Sequence, residues 1–182
     1  MKRVPLFALG VIALSFPVLA QAQDDATAKA VLAAPAQLRD GATVIKWKSD
    51  FTYDTLKKGT SRLVCYDRSG LPEQQAFSIE CTSVGNLDRV AQNLKAEALG
   101  DKAKTQAMLD AEEKDGTRIK PEFGSVWYHM MGADQEHARM HMTIAVPGAT
   151  TQSIGLPDKA GQGTVWIMNA GTSTAHLMTP GE

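Results

Sequence analysis

Leu87, Val90, Ala91, Leu94, Ala98 and Leu99 recur three or four positions apart, with Asp88, Arg89, Gln92, Lys95 and Glu97 between them. That spacing gathers the apolar side chains into one stripe and predicts an amphipathic helix, with Asn86 placed to cap it. Gly100 ends the pattern, Asp101 is suited to cap a second helix over 102–114, and Asp115-Gly116 closes that one. The second helix has only a thin apolar stripe of Ala103, Ala107, Met108 and Ala111, which predicts a surface or lid-like element.

On either side of this pair the period shortens to two. Residues 43–47 and 61–66 are β-branched and aromatic runs, with a short strand over 51–56 and Lys57-Lys58-Gly59 between them. Dense turn chemistry follows at 67–72, and 76–81 returns as a strand, which together predict an antiparallel meander. After Gly116 four more strands are expected, over 124–131, 137–146, 164–170 and 174–178. The first two are joined as a hairpin through 132–136 and the last two by Gly171-Thr172-Ser173. Between them, 147–163 contains Pro147, Gly148, Gly155, Pro157, Gly161 and Gly163 and reads as a long loop of the kind that often carries function. Strands, then helices, then strands predict an α+β fold. The expected sheet is antiparallel, a meander plus C-terminal hairpins, with the two central helices packed at one side.

The first residues follow neither period. Residues 4–19 are apolar except for Ser15, follow Lys2 and Arg3, and precede Ala20-Gln21-Ala22, the small-x-small arrangement of a signal-peptidase site. The reading is a signal peptide over 1–22, with export to the periplasm or the medium. The run is broken by Pro5, Gly10 and Pro17 and falls short of the roughly 20 residues that span a bilayer, so no transmembrane segment is expected after cleavage. Residues 23–37, rich in Ala and Asp, predict a flexible leader, and 38–182 a single globular domain.

Composition adds little to this picture. A hydrophobic fraction of 43% and a charged fraction of 21% are those of an ordinary globular protein. Losing Lys2 and Arg3 with the signal peptide takes the formal charge from −1 to −3, and the charges are scattered, which argues against nucleic acid or an anionic membrane as partner. The cysteines change more. Cys65 and Cys81 are the two in the chain, and export puts them where thiols oxidise, so a Cys65–Cys81 disulfide is expected. It closes a loop of about 15 residues, worth about 3 kcal/mol in the chain-entropy model.

The most unusual chemistry is a pooling of His and Met. His129, Met130, Met131, His137, Met140, His141 and Met142 fall within fourteen residues, and His176 and Met178 lie near the C-terminus. Imidazole with thioether suits soft or borderline ions, copper or zinc here, which makes His141, His176, Met142, Met178 and His129 candidate metal ligands. Packing is the competing reading: Met140, Met142, Ile144 and Val146 alternate as one strand face, with His141 and Thr143 on the other. A second constellation sets Ser173 and Thr174 close to His176, the raw material of a hydrolase with His176 as base, against the simpler reading of turn capping. Glu73, Glu80, Asp134 and Glu136 are too dispersed to nominate an acid–base pair.

The run from Val165 to Pro180, with Trp166-Ile167-Met168, Gly171-Thr172 and Ala175-His176-Leu177-Met178, resembles the ending of a group of uncharacterised exported bacterial proteins. His141-Met142-Thr143-Ile144-Ala145-Val146-Pro147 loosely matches a second stretch of that group, although Asn169 stands where the group tends to have Trp. The resemblance covers about the last third of the chain. It implies kinship without an activity, and it points to His141 and His176. If their strands pair, the two imidazoles face each other across the sheet. The resulting expectation is a secreted or periplasmic domain, not an enzyme, that binds a small ligand or metal ion near His141 and His176 beneath the 147–163 loop. The alternatives are a hydrolase-type enzyme and an envelope structural or interaction protein docking through Trp127 or Trp166.

Overall fold

The computed structural model describes residues 17–161 and 164–179. In chain order they form α1 (Pro17–Ala30), β1 (Thr43–Trp47), β2 (Tyr53–Lys57), β3 (Leu63–Asp67), β4 (Phe77–Ser83), α2 (Leu87–Glu97), α3 (Lys102–Asp115), β5 (Val126–Gly132), β6 (Arg139–Ala145), α4 (Thr151–Ile154), β7 (Trp166–Met168) and β8 (His176–Met178). All eight strands join one sheet in the order β2-β1-β3-β4-β5-β6-β8-β7. The fold is α+β, and the sheet is mixed.

A strictly antiparallel meander is therefore corrected at one place: β1 pairs with β3 in parallel, while every other neighbouring pair is antiparallel. The reason lies between β2 and β3. β2 turns back along the outer side of β1, and the chain then crosses the start of β1 to reach its inner side. At the crossing Thr60 and Ser61 both donate their backbone N–H to Gly41 O, at 3.0 and 2.9 Å. A side chain at Gly59 would place its Cβ 2.3 Å from Gly41 O and 2.4 Å from Ala42 C. Only a residue without Cβ lets the two backbones pass this closely.

Alternation along the strands gives the sheet two dissimilar faces. On one, Cys65, Phe77, Ile79 and Cys81 form a buried cluster with Ala33, Ala34 and Ala42. Cys65 and Cys81 are direct cross-strand partners, their Cα atoms 4.0 Å apart, and are joined as a disulfide. On the other face Ile45, Val64 and Tyr66 pack against Leu87, Val90 and Leu94 of α2. The apolar stripe of α2 thus meets the sheet as its spacing predicts. α3 buries Thr105 alone and packs on α2 as the expected surface helix, with Asp101 accepting from the N–H of Ala103 and Lys104 and Gly116 closing it at φ 79°.

Three local expectations are corrected. Where a flexible leader is expected over 23–37, α1 docks on the sheet. Ala30, Ala33 and Ala34 are buried, Gln23 donates to Leu56 O at 2.9 Å, and Lys29 pairs with Asp67 at 2.6 Å. The apolar core of the expected signal peptide lies almost wholly outside the described residues. Asn86 precedes α2 but makes no side-chain cap. It is buried, donates to Thr82 Oγ1 and Ser125 Oγ at 2.8 and 2.9 Å, and accepts from the N–H of Glu122. The 147–163 loop holds the one-turn α4, and its Ala149 and Leu156 pack with Val146, Ile167 and Ala175. No described helix is long and apolar enough to cross a membrane.

Candidate functional site

Register places the chemistry. Tyr66 of β3 lies opposite Glu80 of β4, Glu80 opposite His129 of β5, and His129 opposite His141 of β6. Side chains that are direct partners across successive strands project from the same face. A polar row therefore crosses the middle of the sheet on the side that carries α2. Beyond β6 the same face continues into β8, where Thr143 pairs with Met178 and Ala145 with His176, and into β7, where Met168 pairs with His176.

Because α2 and α3 cover only part of that face, a cleft of about 380 Å³ remains between them and strands β5, β6 and β8. His129, His141 and His176 line its sheet wall with Met131, Met168 and Met178, and Arg68, Arg89 and Arg118 enter it from its other sides. Two hydrogen-bonded ties close one end: Arg89 of α2 donates to Thr174 Oγ1 at 2.9 Å, and Glu113 of α3 accepts from the backbone N–H of Ser173 at 2.7 Å and from its hydroxyl.

Glu80 is the hub of the polar row. It is 2% exposed, accepts hydrogen bonds from the Tyr66 hydroxyl and from Arg68 at 2.6 Å, and lies 3.2 Å from Nδ1 of His129. Burial alone would raise its pKa. The Arg68 guanidinium and His129 reverse that and hold the carboxyl well below the usual range. Arg68 in turn reaches Glu97 on α2. Burial and the Glu80 charge push the Tyr66 hydroxyl up. A carboxylate accepts only, so Nδ1 of His129, the ring nitrogen facing Glu80, carries a proton. The His129 ring stacks on Trp127, their centroids 6.4 Å apart and planes 9° from parallel.

His176 is oriented in the same sense. Its Nδ1 lies 2.8 Å from Thr174 O, a carbonyl that can only accept, so Nδ1 carries a proton here too. His141 sits between the other two: its ring is 6.2 Å from that of His129, and burial, then the charges of His129 and His176, lower its pKa. Both effects favour the neutral form of His141.

Of the five candidate ligands, His129, His141, His176 and Met178 meet in this cleft. Met142 does not. It is the partner of Tyr128 on the opposite face, as the alternation of Met140, Met142 and Ile144 implies. His141 and His176 share a face but are not cross-strand partners, since His141 pairs with His129 and His176 with Ala145. His137 is exposed on the β5–β6 turn beside Asp134. Neither hydroxyl of the proposed hydrolase constellation is bonded to His176: Ser173 Oγ donates to Glu113, and Thr174 Oγ1 accepts from Arg89. Among the described residues the 147–163 loop contributes nothing to the cleft lining, and it packs with Ile167 and Leu177, which point away from His176 along their strands.

Sequence reasoning passed over Glu80, Arg68 and Arg89. Nothing local marks them: Glu80 sits in a strand that also carries Ser78, Thr82 and Ser83, Arg68 in a turn, and Arg89 among the polar positions of α2, and only the register and packing show that they are buried. Among the described residues no three His, Cys, Asp or Glu side chains are grouped to hold a metal ion. No protein-family model matches the chain, and neither a curated protein nor a solved structure is similar to it.

Proposed function

We propose that the chain is an exported, non-enzymatic binding domain whose ligand, an ion or small molecule, enters the cleft and is met by His129, His141 and His176. The observation that carries this reading is their convergence: histidines from three strands line one cleft together with Met131, Met168 and Met178. Glu80 and Thr174 O engage Nδ1 of His129 and His176, the kind of outer support that orients an imidazole to ligate or accept through Nε2. The surroundings of His141 favour its neutral form, the one that ligates. The histidines are recessed, which favours a small ligand over an envelope protein as the occupant. Ser173 and Thr174 are engaged elsewhere, which favours binding over hydrolysis.

The metal version draws on sulfur. Among the described residues no three His, Cys, Asp or Glu side chains are grouped, and a thioether is the further donor at hand, with Met178 on the strand beside β6. That selects a soft ion such as copper(I) over zinc. Copper(I) titration of the purified protein is expected to show one equivalent, lost in His129→Ala and His141→Ala, weakened roughly tenfold or more in Met178→Leu, and kept in His137→Ala. Binding that survives His129→Ala and His141→Ala together would overturn the metal version.

A further inference from the structure

The three arginines of the cleft are not equivalent. Arg68 is bracketed by Glu80 and Glu97. Arg118 has Glu112 at 3.6 Å and donates to Gln92 Oε1 and Asn93 Oδ1. Arg89, only 4% exposed, has no carboxylate within ion-pair distance among the described residues; it donates to Ile119 O and to Thr174 Oγ1. The carboxylate of Glu113 is taken up by Ser173. Burial and the neighbouring Arg118 charge bring Arg89 down to about 10. Glu113 and Glu112 offset this only from beyond ion-pair distance. A guanidinium buried beside a like charge and with no carboxylate in direct contact is costly, and an arriving anion reduces that cost.

Thr174 also ties this cation to the histidines. Its Oγ1 accepts from Arg89 while its backbone carbonyl accepts from Nδ1 of His176, so guanidinium and imidazole share one end of the cleft. Two of the five N–H groups of Arg89 are committed to the protein, which leaves donors for a ligand. Resting on the reading of the cleft as a ligand site, we propose that its ligand carries an oxyanion, a carboxylate or phosphate, that docks on Arg89 at the Thr174–His176 end.

The test titrates the purified protein with acetate and, separately, inorganic phosphate at constant ionic strength, following the Arg89 Nε–H and the His176 ring by NMR. At least one anion is expected to give a saturable shift at both groups, and the tighter of the two names the class. Arg89→Gln should weaken that anion roughly thirtyfold or more, while Arg62→Gln, which removes an exposed arginine, leaves it unchanged. If Arg89→Gln fails to fold, the wild-type Arg89 Nε–H signal gives the same answer. Should neither anion saturate while copper(I) still moves His129 and His141, the oxyanion is overturned and the cleft reading stands. Should the anion bind Arg89→Gln as well as wild type, the assignment to Arg89 is overturned. Should no probe move any cleft histidine, both readings fall.

Discussion

Glu80 shows how much of the candidate site depends on one side chain. It receives Tyr66, Arg68 and His129 together, so its charge balances Arg68 and orients the His129 ring. Its carboxyl is held below the usual range, so the native state binds fewer protons than the unfolded chain. The stability this contributes is complete above the ordinary carboxylate pKa near about 4.3 and is lost as pH falls through and below it. Glu80→Gln is expected to cost about 3 kcal/mol in urea unfolding at neutral pH and to flatten the acid side of the stability profile. A neutral-pH loss below about 0.5 kcal/mol, typical of a surface change, would contradict this role. The pooling of His and Met is plain in the sequence because its members are close together. Glu80 is not, because the residue it supports lies in the next strand, beyond two helices, and nothing local distinguishes it from a stray charge in a strand.

At the scale of elements, period and punctuation carried most of the information. β1, β3, β4, α2 and α3 lie where alternation, helical spacing, Asp101 and Gly116 put them, and the two cysteines meet as cross-strand partners. Two features stayed hidden for physical reasons. α1 and the turn after it dock through the small side chains Ala30, Ala33 and Ala34, which make no apolar stripe to read. The parallel β1–β3 pair depends on a backbone crossing at Gly59, and a glycine after two lysines looks the same whether it turns the chain or lets it pass. Gly59→Ala is expected to lower stability by about 3 kcal/mol, because its Cβ meets the backbone of Gly41 and Ala42 rather than a side chain that can move aside. Gly70→Ala is the comparison: at φ 76° with open space around it, its cost is confined to local backbone strain, about 1 kcal/mol. Equal losses for the two variants, measured by chemical denaturation, would remove the crossing as the reason for the parallel pair.

Across the whole molecule, the sheet separates two tasks. One face is closed by α1, the disulfide and the alanine cluster; the other is left partly open beneath α2 and α3, and there the imidazoles, thioethers and Arg89 gather. The open half explains why residues from distant parts of the chain converge: β5, β6 and β8 are neighbours in the sheet although a long loop and β7 separate β6 from β8 in sequence. The central claim is that this cleft is where a ligand binds, and the imidazole 1H–15N spectrum tests it most directly, because exposed His137 serves as an internal control. On titration with copper(I), and separately with acetate and with phosphate, at least one probe is expected to move resonances of the cleft histidines to saturation while those of His137 stay in place. A spectrum in which no probe moves His129, His141 or His176, or in which all four histidines drift alike without saturating, would contradict it.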